Sequence, residues 1–100
     1  MPHILVPPER LAEFCRKHHI VKLSFFGSVL RDDFGPQSDV DVLVEFDPAH
    51  VPGLLRFVGM QMELADLLGR EVDLNTPNSL SHLLQKRILS EAEAQYVEAR

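Results

Sequence analysis

Residues 39–46 read Asp-Val-Asp-Val-Leu-Val-Glu-Phe. Successive side chains of a strand point to opposite faces, so Asp39 and Asp41 share one face while Val40, Val42, Val44 and Phe46 take the other. The segment predicts a strand with an apolar face and a charged end. Two carboxylates at i and i+2 on one face repel each other, which calls for something positive between them. Hard divalent cations such as magnesium take oxygen ligands and are held by one or two carboxylates together with substrate phosphates. In isolation, the same pair also suits an edge strand kept soluble by charge.

Working outward, Val21 to Phe26 is rich in strand formers and stops at Gly27-Ser28. The residues from Val29 to Phe34 then predict about two helical turns before Gly35-Pro36 breaks them. On that reading, backbone N–H groups and the Ser28 hydroxyl at a helix start suit an anionic phosphate, although Gly-Ser is also a common turn. Arg31, three residues after Ser28, falls on the same helical face, placed to pair with phosphate or to brace the aspartates. A third carboxylate, Asp73, sits in the apolar run Glu71 to Asn75, which predicts another strand. Arriving from a neighbouring strand, it would complete a two-metal site.

The remaining segments read as helices. Pro7-Pro8 precedes Leu11, Phe14, Cys15 and His18 at i, i+3, i+4 and i+7, a first helix starting near Pro8 and ending near His18-His19. Leu54, Val58, Met62, Ala65 and Leu68 trace a stripe on a second helix that Gly69 ends. Thr76-Pro77-Asn78-Ser79 is a turn and cap signal, and Leu84, Ile88, Ala92 and Tyr96 line a closing helix, with a break near Ser81. Cys15, Met60 and Met62 read as packing, and His18 and His19 have no motif partner. Gln85, Lys86 and Arg87 lie on or beside the polar face of the closing helix, facing solvent or a partner. Alternating helices and strands predict an α/β fold, a short mixed sheet covered by helices, in one domain over residues 1–100.

Composition narrows the function. With 100 residues there is little material for a separate acceptor-binding domain, so a large acceptor site would be shared with a partner. A net charge of -5 disfavours nucleic acid as a partner. One cysteine excludes an internal disulfide and fits a reducing compartment, and no run of roughly 18 apolar residues suggests a membrane span. Cytoplasm is the expected location.

The order Gly27-Ser28-x-x-Arg31, Ser38-Asp39-x-Asp41 and Asp73 resembles the signature of the minimal nucleotidyltransferases of the DNA polymerase β-like superfamily. The resemblance covers most of the chain. It implies a palm-like nucleotidyltransferase fold, with Gly27, Ser28, Arg31 and Ser38 on the nucleotide. Asp39, Asp41 and Asp73 would be catalytic and would hold two magnesium ions. In length and in its final helix the chain also resembles the antitoxin of HEPN/MNT toxin-antitoxin pairs, whose members move AMP from ATP to a tyrosine of a HEPN-domain toxin. That implies a HEPN-type partner, in a homo-oligomer or in a hetero-oligomer with the toxin. Two other readings stand beside it: an antitoxin that neutralises by binding alone, and a stand-alone nucleotidyltransferase with a small-molecule acceptor.

Overall fold

A computed structural model describes residues 4–99. Helix α1 runs from Pro8 to Lys17, with proline at its first turn where a missing N–H costs nothing. It buries Leu11, Phe14 and Cys15, as the stripe predicts. His19 turns left-handed at φ 58° and starts strand β1, Ile20–Phe26. Strand β2, Val40–Phe46, pairs antiparallel with β1, and helix α2, Leu54–Leu68, returns the chain to strand β3, Val72–Asn75, parallel to β2. A parallel neighbour requires such a crossover. Gly69 closes α2 in the left-handed conformation, with φ 67°.

The chain ends differently from its pattern. The closing helix α3 covers only His82–Glu91, capped by Ser81, whose hydroxyl accepts from Leu84 N–H at 3.4 Å. Ala92 is already extended, and strand β4, Glu93–Val97, pairs antiparallel with the free edge of β1. Ala92 and Tyr96 therefore do not continue the line of Leu84 and Ile88. An edge strand offers a row of unpaired N–H and C=O groups, and this tertiary pairing overrides a helical pattern that carries no glycine or proline stop. The finished sheet has the order β3-β2-β1-β4.

Register sorts the side chains. Leu23 faces Val44 and Phe25 faces Val42 across β1 and β2, while Val40 faces Val72 and Val42 faces Leu74 across β2 and β3. These residues form one face, and they belong to the same buried cluster as Leu11, Phe14 and Cys15 of α1 and Met60, Leu64 and Leu68 of α2. Burial pushes the Cys15 thiol up to about 12, consistent with packing rather than reactivity.

The apolar stripe of α2 is shifted from the expected one. Met60, Leu64 and Leu68 are buried, whereas Leu54, Val58 and Met62 are 81%, 45% and 65% exposed. The first half of α2 carries apolar residues all round, so periodicity leaves its inward face undecided; contact with the sheet decides it. His18, without a motif partner, has a structural one: its Nε2 lies 3.0 Å from Glu63 Oε1, and Lys17 Nζ is 2.7 Å from Glu63 Oε2. Burial acts to raise the Glu63 carboxyl, but its bonds to Lys17 and His18 hold it below the usual range.

Candidate active site

The opposite face of the sheet carries the chemistry. Phe26 pairs with Asp41, and Asp41 with Asp73, so one cross-strand row brings two carboxylates from β2 and β3 side by side. In adjacent strands such neighbours lie about 5 Å apart. Burial, then the charges of Asp73 and Asp39, raise the Asp41 carboxyl above its ordinary value, and Arg31 opposes them weakly. Asp39 precedes the first residue of β2 and is exposed.

Among the described residues, no three histidine, cysteine or acidic side chains already converge as metal ligands. The donors fit magnesium nonetheless: they are hard oxygens, two of them adjacent, and a cation would relieve the repulsion that Asp73 and Asp39 exert on Asp41.

Gly27 is shaped by this row. It has φ 73°, a conformation that favours glycine, and a Cβ placed on it would collide with Asp41 Oδ2 and lie 3.2 Å from Asp41 Cγ. The turn that follows is shorter than the sequence suggests. Gly27–Leu30 forms a single 3-10 turn, and Arg31 is extended, its N–H donating to Ser28 C=O at 2.9 Å. The expected two helical turns through Phe34 do not form, because Arg31 leaves helical space and the chain must loop back towards Asp39. Arg31 consequently does not sit one helical turn above Ser28. Its Nε pairs with Asp33 Oδ1 at 3.4 Å, and its charge reaches Asp41.

Ser38 is engaged in the approach to Asp39. Its hydroxyl accepts from Gly35 N–H at 3.1 Å, and its own N–H donates to Gly35 C=O at 3.0 Å. Arg70 holds this loop from outside: one guanidinium nitrogen donates to Gly35 C=O at 2.5 Å and to Ser38 C=O at 2.9 Å, and the group lies 4.3 Å over the Phe34 ring. Sequence reasoning misses Arg70, since an arginine after a helix-ending glycine carries no motif. Arg87 is exposed, as its place on the polar face predicts, and with Glu91 it lines a groove beside Gly27, Leu30 and Arg31.

The family profile for nucleotidyltransferase domains matches residues 8–94. A provisionally named protein adenylyltransferase of Methanocaldococcus jannaschii is 45% identical over 76 residues, covering 76% of this chain and 80% of that one. The fold is similar to that in a crystal structure of a toxin-antitoxin with AMP-PNP, at TM-score 0.75 and 19% identity, covering 93% of this chain and 75% of that one. It is also similar to a chain in the structure of a tri-AMPylated Shewanella oneidensis HEPN toxin in complex with MNT antitoxin, at TM-score 0.66 and 19% identity, covering 91% of this chain and 70% of that one. With its carboxylate row on such a sheet and a profile match over most of its length, this chain belongs to the nucleotidyltransferase domain family.

Proposed function

We propose that this nucleotidyltransferase moves AMP from ATP to a hydroxyl of a HEPN-type partner protein, a tyrosine, and so acts as that protein's antitoxin. The observation that carries the reading is the row Phe26, Asp41, Asp73, with Gly27 moulded against the Asp41 carboxylate. The protein-directed chemistry is supported by the name of the M. jannaschii relative, and the partner by the toxin-antitoxin complexes that share the fold.

Asp39, Asp41 and Asp73 would hold two magnesium ions, which when bound neutralise charge on the attacking and leaving oxygens. The chain's own residues do the rest. Gly27 lets the nucleotide phosphates approach the strand end without a side chain in the way, and Ser28 offers its hydroxyl and backbone N–H to them. Asp73 orients the acceptor hydroxyl and takes its proton. A new oxygen–phosphorus bond forms at the α-phosphorus, the bond to the β-phosphate breaks, and pyrophosphate leaves. Holding the reactants in line supplies much of the rate. Ser38 and Arg31 contribute by fixing the loop into Asp39 and by balancing the charge of Asp41.

No helix of the described residues is long and apolar enough to cross a membrane. The reading is tested by the intact mass of a HEPN-domain protein from the same genome after incubation with this chain, magnesium and ATP. Addition of AMP that is lost with Asp41→Asn is the expected result. A stable complex with no added mass would refute transfer and leave neutralisation by binding alone.

A further inference from the structure

The groove beside Gly27 has a volume of about 270 Å³ and is lined by Gly27, Leu30, Arg31, Arg87 and Glu91. Its position follows from the ending of the chain. Phe25 pairs with Glu93, so β4 enters the sheet beside the last residues of β1, and the final turn of α3 is delivered against the Gly27–Leu30 turn. Two guanidinium groups from separate segments thereby face one cavity.

Each arginine is held by a carboxylate of its own segment. Arg31 Nε is 3.4 Å from Asp33 Oδ1, and Arg87 Nε is 3.2 Å from Glu91 Oε1. The arginine side chains are 57% and 71% exposed. Exposed pairs of this kind contribute little to stability, whereas a phosphate offers more charge and the bidentate geometry that guanidinium matches. A local carboxylate is therefore readily exchanged for a phosphate.

The order of strands gives the ligand its direction. The carboxylate row lies on β2 and β3, Gly27 at the end of β1, and Arg87 just before β4. From Asp41 on β2 to the end of β1 is one strand spacing and to β4 two, of about 5 Å each, within reach of a triphosphate chain. With the α-phosphate at the carboxylates, where transfer occurs, the distal phosphates point across Gly27 into the groove.

Resting on the nucleotidyltransferase reading above, we infer that Arg87 is a phosphate-binding residue: with Arg31 it grips the β- and γ-phosphates, the part that leaves as pyrophosphate, and Glu91 is the counterion it exchanges for them. Discrimination between ATP and AMP then resides partly in α3, outside the acidic motif.

Calorimetric titration of the intact chain with ATP and with AMP, in magnesium, tests this. Arg87→Ala is expected to weaken ATP by about tenfold or more while changing AMP by less than about twofold, with melting unchanged. Arg87→Lys should fall between, keeping charge but losing the fork, and Glu91→Gln should bind ATP at least as tightly as the wild type. The inference is overturned by an Arg87→Ala chain that binds ATP normally, or that loses ATP and AMP equally. A wild-type chain that binds no ATP would bring down the nucleotidyltransferase reading as well; normal wild-type binding with an unaffected variant would remove only the role of Arg87.

Discussion

Replacing Gly27 with alanine should damage this protein in a way that depends on one other residue. The new Cβ would meet Asp41 Oδ2 inside van der Waals contact, with Asp41 Cγ at 3.2 Å and Asp41 Cβ at 3.5 Å, on a backbone at φ 73°. The left-handed conformation costs an L-residue roughly 1–2 kcal/mol. Displacing the half-buried Asp41 carboxylate adds roughly 1–3 kcal/mol. Truncating Asp41 to alanine removes Oδ2 and Cγ and leaves only the Cβ at 3.5 Å, an ordinary contact. Gly27→Ala should therefore cost roughly 2–5 kcal/mol in the native background but only the backbone part, roughly 1–2 kcal/mol, beside Asp41→Ala. A double-mutant cycle by urea denaturation reads the difference, and it subtracts the separate effect of removing the Asp41 charge. In a domain of this size each kcal/mol moves Tm by about 4–8 °C, so the coupling is also visible in melting curves. Equal cost of Gly27→Ala in both backgrounds would refute the placement of the Asp41 carboxylate against the glycine, and with it the account of why glycine stands there.

Two further outcomes follow from the same region. Burial first, then Asp73 and Asp39, raise the Asp41 carboxyl in the fold, so ionised Asp41 opposes folding wherever the unfolded chain carries that charge, and the penalty disappears as pH falls below both values. Asp41→Asn should be more stable than wild type at neutral pH by roughly 1–3 kcal/mol, from carboxylates about 5 Å apart at effective dielectrics between protein surface and water. Melting curves from neutral to acidic pH should show that margin closing; a margin independent of pH would contradict the charge argument. Arg70→Ala removes the two bonds to Gly35 and Ser38 carbonyls and the contact with Phe34. It should cost roughly 1–3 kcal/mol, speed amide exchange across residues 35–39 and slow transfer, because Asp39 hangs on that loop. Unchanged exchange there would show that Arg70 does not hold the loop.

Several features were legible because they depend on neighbours in the chain. Alternation in residues 39–46 placed β2 and paired its acids, Pro8 and the stripe of Leu11, Phe14 and Cys15 placed α1, and Gly69 marked the end of α2. Residue types and spacing in the acidic motif and Gly27-Ser28 pointed to metal and phosphate binding, and the resemblance of their order to the minimal nucleotidyltransferases implied nucleotidyl transfer. What lay beyond the sequence depends on partners far along it. The inward face of α2 was ambiguous because its first half is apolar all round, and only the sheet selects Met60 and Leu64 over Val58 and Met62. Residues 92–97 look helical in isolation and become β4 only because β1 has an open edge to fill. From that one long-range pairing comes the meeting of Arg87 with the Gly27 turn, and from the parallel register of β2 and β3 the adjacency of Asp41 and Asp73. Local patterning determined which residues carry the chemistry; hydrogen bonding between distant strands decided which of them stand together, because backbone groups must find partners that no short stretch of sequence contains.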